Sequence, residues 1–201
     1  MPTVHLTVRK LKDIAPKRFD KEYYHWCEYT GYDGWAECVE GDFRERHAPQ
    51  GVEANSIWFS LRGSGGYACF SGVVYATKLM KHLKLDEEYL PLYLAMENEG
   101  SRFSVSGSRR GGLQVEFDGV PWDTAPAGVF SALDQEAWEN LLHEQLEESE
   151  LESVVEEFCK DICHTLLKEL ESEYEHMTSE ESFIESCEAN EVTFEIEGDE
   201  K

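Results

Sequence analysis

The distribution of charge along the chain limits which of its surfaces can be buried. The 201 residues carry a formal net charge of −24, and the stretch 130–201 holds 24 acidic residues against only Lys160, Lys168 and Lys201. No lysine or arginine lies between Arg110 and Lys160. Because unpaired carboxylates must stay in water, this stretch can fold only around an apolar side that faces away from them. Its charge also opposes direct binding of nucleic acid, since phosphates repel it.

The apolar residues of the C-terminal stretch recur at helical spacing. Residues 131–176 are predicted to be helical, with a break near Ser149. The second part shows one apolar stripe of about seven turns: Leu151, Val154, Val155, Phe158, Ile162, Leu166, Leu170, Tyr174 and Met177. This stripe requires an apolar partner, either a sheet of the same chain or a second subunit of a homodimer. A cap at Thr178 or Ser179 predicts a short further helix, and VTFEIEG predicts a last strand.

The first 50 residues predict one strand and two helices. VHLTV alternates as a strand does, and a helix follows for which Asp13 is a candidate N-cap and which ends near Gly31. A second helix is predicted from Gly34 to about His47. Four of its residues are predicted to point inward: Trp35, Cys38, Val39 and Phe43. Pro49 and Gly51 then end that helix.

The middle of the chain predicts most of the sheet. SIWFSLRG and YACFSGVVY are β-branched and aromatic runs joined by a glycine turn, followed by a helix over about Thr77–Lys84 and by YLPLYLAM, interpreted as the start of a strand. RFSVSGSRRGGLQVEF predicts a β-hairpin tipped by Arg109 and Arg110. Pro121, Pro126 and Gly128 indicate a loop or linker.

Together these elements predict an α+β fold with a small antiparallel sheet, flanking helices and a long acidic C-terminal helical region. Residues 1–128 form the predicted α+β core, and residues 129–201 form the acidic helical region with its terminal strand. No apolar run approaches the ~20 residues of a membrane span. Because no secretory signal pattern opens the sequence, we expect a cytosolic protein whose six cysteines are reduced thiols.

The sequence predicts neither catalysis nor a cofactor. Its seven histidines are scattered outside any catalytic motif, and the glycine turn lacks the Lys-Ser/Thr of a nucleotide-binding loop. Cys159, Cys163 and His164 stand at the spacing of metal ligands on a helix, but both cysteines fall on the apolar stripe. We therefore predict that these cysteines pack in the core, that no metal or cofactor is bound, and that the protein is not an enzyme.

One group of carboxylates is the candidate partner-binding site. Its members are Asp134, Glu136, Glu139, Glu144, Glu147, Glu148, Glu150, Glu152, Glu156 and Glu157. As a single helix, the 24 residues from 134 to 157 that contain these ten carboxylates would span about 36 Å at ~1.5 Å per residue. That places one negative charge per ~3.6 Å, close to the ~3.4 Å charge spacing of a DNA strand. The alternative is that the acidity serves solubility alone, although solubility would be met equally well by dispersed charge.

Several segments resemble a family of small phage-encoded proteins that carry the label of antitoxin of a toxin–antitoxin stability system. The family motif FSxxxSQGDGACFxG corresponds to residues 59–72, with a turn one residue shorter and Ser64-Gly65-Gly66 in place of Gln-Gly-Asp. An acidic helix, a TSDEA-like cap and an ANEYxF-like strand correspond to residues 167–174, 178–182 and 189–194. The resemblance implies a phage protein that acts in the cytosol of a bacterial host.

These observations lead to three functional hypotheses. The first is a DNA mimic that inhibits a basic host protein, such as a nuclease or a surveillance complex, in counter-defence, through the carboxylates of residues 134–157 with help from residues 169–188. The second is an antitoxin that neutralises a cognate toxin. The third is an enzyme or small-molecule-binding protein that holds an anion with the glycine turn and Arg62, Arg109 and Arg110.

Overall fold

The structure is a computed structural model that describes residues 4–30, 34–61, 65–110, 112–118 and 135–196. It confirms the predicted α+β class, with helices and two antiparallel sheets. The chain divides into two compact units, the terminal unit (Met1–Val39 with Glu169–Lys201) and the central unit (Glu40–Lys168). The predicted boundary between residues 128 and 129 lies outside the described residues and stays a prediction.

The elements follow in chain order: β1 (Val4–Thr7), α1 (Val8–Ile14), α2 (Pro16–Thr30), α3 (Ala36–His47), β2 (Val52–Ser60), β3 (Tyr67–Tyr75), α4 (Ala76–Leu83), α5 (Leu90–Glu99), β4 (Arg102–Gly107), β5 (Leu113–Asp118), α6 (Gln135–Ser149), α7 (Leu151–Met177), α8 (Glu180–Ala189) and β6 (Thr193–Ile196). A short 3-10 turn, Ala48–Gln50, follows α3. Most predicted elements are thereby confirmed within a few residues.

The terminal unit joins the two ends of the described chain. β1 pairs antiparallel with β6, with Val4 opposite Ile196. The helices cover one apolar cluster, in which Phe19 of α2 lies edge-on against Phe183 of α8 at 5.5 Å between ring centroids. Ser179 caps α8 as predicted, since its side chain accepts a hydrogen bond from the backbone N–H of Ser182 at 3.1 Å.

The candidate cap at Asp13 is wrong, because Asp13 lies inside α1. The chain forms two helices here instead of one. Pro16 disfavours helical backbone at the preceding Ala15, which is non-helical at φ −134° and ψ 67° and ends α1. The same proline suits the first position of α2, where no N–H is needed. Cys38 was also predicted inward, and it is exposed on α3 while Phe43 of that helix is fully buried.

The central unit is built on a four-stranded antiparallel sheet in the order β2-β3-β4-β5. β2 and β3 form the predicted hairpin, with Phe59 opposite Ala68 and a bulge between Ala54 and Ser56. β4 and β5 form the second predicted hairpin, and Arg109 and Arg110 stand in its turn. The turn residues 62–64, and with them Arg62 and Ser64, lie outside the described residues.

The segment YLPLYLAM is a helix, and its interpretation as a strand start is wrong. Pro91 stands in the first turn of α5, where a proline is tolerated, and Gly100 ends the helix in a left-handed conformation at φ +66°. Leu92, Ala95 and Met96 are fully buried. A short run that is apolar at nearly every position has no distinguishing period, so sequence alone does not separate a buried helix from a buried strand.

The apolar stripe of α7 is largely buried as predicted. Leu151, Val155, Leu166 and Leu170 have no exposed surface. In the central unit the sheet lies against this side of α7. This position is shown by the Cys163 thiol, which lies near Cys69 of β3 and forms a hydrogen bond with the backbone of Phe70. The break predicted near Ser149 is confirmed between α6 and α7. Tyr174, near the end of the stripe, keeps 38% of its surface exposed.

Candidate partner-binding surface

The predicted carboxylates that the structure describes lie on α6, at Glu150 and in the first two turns of α7. α6 buries Trp138, Leu142 and Ser149 on one side. Seven carboxylates are exposed: Glu136, Glu144, Glu147, Glu148, Glu150, Glu152 and Glu157. Glu139 and Glu156 are half-buried, and Asp134 lies outside the described residues. We call the nine described carboxylates the acidic surface.

The acidic surface follows two helical segments. Glu150 separates them in a left-handed conformation, with φ +46°, and its N–H bonds only three residues back, to the carbonyl of Glu147 at 3.2 Å. The uniform charge spacing of one 36 Å helix therefore does not extend across residue 150. Within α6, Glu144 and Glu148 remain one turn apart, as do Glu152 and Glu156 within α7.

Most of the acidic surface is uncompensated. Lys160 contacts Glu156 at 2.5 Å, and Gln135 donates to Glu139 at 2.9 Å. Over the described parts of the chain, Glu156 is the single member of the acidic surface in an ion pair with lysine, arginine or histidine. Because all the remaining carboxylates except Glu139 are exposed, their charge is held in solvent by the packing of the opposite face.

Tertiary packing adds acidic residues that were not predicted as part of the site. The backbone N–H of Leu92 donates to the Gln145 side chain at 3.1 Å, which holds the start of α5 against α6. Just before α5, burial raises the pKa of Tyr89, and the charges of Glu88 and Glu148 raise it further. Glu88 therefore lies close to the same phenol as Glu148. The run Asp86-Glu87-Glu88 was visible in the sequence, but its proximity to α6 was not.

Part of the acidic region after residue 168 is already occupied by the protein's own cations. The Arg9 guanidinium contacts Glu188 at 2.6 Å and Glu181 at 3.6 Å, and Lys12 pairs with Glu180. The hydrogen bond from Arg9 lowers the pKa of Glu188. The suggestion that residues 169–188 assist partner binding is therefore weakened for these three glutamates, whose carboxylates hold α1 against α8.

The arginine-tipped hairpin and the cysteines take different places in the central unit. The hydroxyl of Ser108 accepts from the N–H of Gly112 at 3.1 Å and organises the turn that presents Arg109 and Arg110 to solvent.

Cys159 and Cys163 are buried as predicted, and burial raises the pKa of each thiol to about 12. Among the described residues, no group of three or more metal-ligating side chains is placed to hold an ion.

No family model matches this chain, and neither a curated protein nor a solved structure is similar to it. Within the part of the chain that the structure describes, none of the helices combines the length and the apolar character needed to cross a bilayer.

Proposed function

We propose that the protein binds a basic nucleic-acid-binding protein of a bacterial host and inhibits it by occupying the site that normally holds phosphates. The observation that carries this proposal is the acidic surface: nine carboxylates on α6, on α7 and at Glu150 between them, of which one forms an ion pair with a described lysine, arginine or histidine. The resemblance to phage-encoded proteins supports a role in counter-defence in the host cytosol.

Unpaired charge destabilises the helices that carry it and attracts a partner of opposite charge. Like charges one helical turn apart repel, so Glu144 beside Glu148 and Glu152 beside Glu156 destabilise their own helices by about 0.2–0.5 kcal/mol per pair. A single-sign surface accelerates encounter with a partner of opposite sign. Solubility requires no such concentration of charge on two adjoining helices.

The proposed interface centres on one part of the acidic surface. Glu144, Glu147 and Glu148 are exposed on the second half of α6, and the charge of Glu148 reaches Tyr89, where it helps to raise the pKa of the phenol. Glu156 is engaged by Lys160 at 2.5 Å, so the unpaired charge is concentrated before this position. We therefore place the centre of the interface on the second half of α6.

The experiment is a pull-down from bacterial lysate with elution by salt and, separately, by duplex DNA. We expect captured proteins to bind nucleic acid, to be released by excess DNA, and to lose affinity steeply between about 50 mM and 200 mM salt. The variant E144Q/E147Q/E148Q/E152Q should capture them at least about tenfold less well, because it removes four negative charges without changing side-chain size.

The matched control is E28Q/E37Q/E45Q/E116Q, which removes four exposed carboxylates outside residues 134–157 and 169–188 and changes the net charge equally. We expect it to capture partners as the wild type does. Equal losses in both variants would show that net charge alone determines binding and would contradict the proposal. A captured protein that DNA does not displace would favour an antitoxin acting on a toxin instead.

A further inference from the structure

A cleft of about 190 Å³ opens in the central unit where the first residues of β3 and β5 approach α7. Ala68, Leu113 and Leu167 supply apolar lining, and Tyr67, Lys160 and His164 supply polar groups. The lining is thus about equally polar and apolar, and a combination of apolar walls with a few convergent polar side chains is usual in small-molecule sites. The acidic surface does not contribute to this lining, apart from the contact of Glu156 with Lys160.

The charge of the described lining selects for one class of ligand. Its ionisable nitrogen groups belong to Lys160 and His164, and it contains no carboxylate. In a chain of net charge −24, a cleft with this lining is an exception. A lysine ammonium and an imidazole N–H at the mouth can both donate hydrogen bonds to an oxyanion, and the apolar lining can bury an uncharged body.

The walls of the cleft are fixed by hydrogen bonds to the β4–β5 turn. The hydroxyl of Tyr67 donates to the carbonyl oxygen of Arg109, and the thiol of Cys69 donates to that of Ser108 at 3.1 Å. These bonds attach the turn that bears Arg109 and Arg110 to the residues that line the cleft. The first residues of β3 are thus held in place before any ligand arrives, which lowers the entropic cost of binding.

Lys160 is available to a ligand despite its contact with Glu156. The two side chains keep 60% and 46% of their surface exposed. Exposed ion pairs one helical turn apart contribute little, because water screens them. An oxyanion seated in the cleft can therefore replace or share the contact with Glu156 at small cost.

We infer that this cleft binds a small organic anion in which one carboxylate or phosphate is joined to an aromatic or branched aliphatic body. The volume corresponds to roughly six water molecules at about 30 Å³ each. It lies below the ~300 Å³ at which sites for drug-sized ligands begin. The anion is expected at Lys160 and His164, and the body against Leu113 and Leu167.

The test is a titration of the isotope-labelled full chain followed by amide NMR shifts. Phenyl phosphate is the probe. Inorganic phosphate tests the anion without the aromatic body, and benzyl alcohol tests the aromatic body without the anion. We expect saturable shifts at Tyr67, Leu113 and His164 with a Kd in the millimolar range, and at least about fivefold weaker binding of each partial probe.

Two variants make the assignment specific. Lys160→Met should weaken phenyl phosphate at least about fivefold, whereas Lys168→Met, the same change at an exposed lysine of the same helix, should leave its binding unchanged. Leu113→Trp should fill the cleft and abolish binding, with circular dichroism verifying that each variant is folded. Wild-type affinity in Lys160→Met, or shifts that map elsewhere, would overturn the inference.

Discussion

The cysteines of this protein differ sharply in their exposure to solvent. Cys159 is fully buried beside Cys163, and burial raises the pKa of both thiols to about 12. Cys38 is exposed on α3. Because the thiolate is the reactive form, burial protects the first two cysteines both by excluding reagents and by suppressing ionisation.

This contrast predicts the order of thiol modification. In the native protein near neutral pH, N-ethylmaleimide should modify Cys38 rapidly, and Cys159 and Cys163 at least about 100-fold more slowly. Mass spectrometry of quenched samples measures the order. The Cys38→Ser variant should lose the fast phase, and urea should equalise the remaining sites. Rapid modification of Cys159 without denaturant would contradict the burial of this face of α7.

At the scale of elements, two glycines have different structural roles. One allows two strands to lie close together, and the other only lowers the stability of its helix. Gly72 lies in β3 beside the bulge of β2, and a Cβ built there would stand 1.9 Å from the carbonyl oxygen of Glu53. Gly41 lies inside α3, and a Cβ there would meet nothing within 4 Å. The first glycine is required by packing between two strands, and the second only weakens its helix.

The two alanine substitutions are therefore expected to have opposite effects. Gly72→Ala should lower the free energy of unfolding by about 1–3 kcal/mol, because β2 and β3 must separate. Gly41→Ala should raise it by about 0.5–1 kcal/mol, because alanine is the better helix former. Urea denaturation followed by circular dichroism measures both. A stable Gly72→Ala variant would show that the strands do not approach as closely as described.

The whole molecule carries a net charge of −24 that its own cations compensate only locally. Arg9 and Lys12 neutralise glutamates of α8 within the terminal unit. In the central unit the acidic surface lacks a comparable set of partners among the described residues. Self-repulsion of this kind destabilises the compact state, and dissolved salt screens it.

Salt should therefore stabilise the protein, and most of the gain should come from the acidic surface. Raising NaCl from about 10 mM to about 0.1 M shortens the Debye length from ~30 Å to ~10 Å, and we expect the Tm to rise by about 2–4 °C. The E144Q/E147Q/E148Q/E152Q variant should have a higher Tm than the wild type at low salt, and its Tm should rise less when salt is added. Calorimetry measures both, and an unchanged salt response in this variant would show that the repulsion lies elsewhere.

The sequence by itself determined the features that depend on neighbours along the chain. The apolar stripe of α7, the Ser179 cap of α8, the two hairpins and the break near Ser149 all follow from spacing and turn chemistry within a few residues. The concentration of acidic side chains was also evident, because charge is a property of composition.

The tertiary structure alone decided which charges are paired and which apolar runs become helices. Arg9 meets Glu188 across 179 positions, and Glu88 comes to lie near Glu148 through the contact of α5 with α6. YLPLYLAM is helical, with Leu92, Ala95 and Met96 fully buried and Leu90 exposed. Such contacts join distant segments, and no local pattern encodes them, because their energy exists only once the chain has packed.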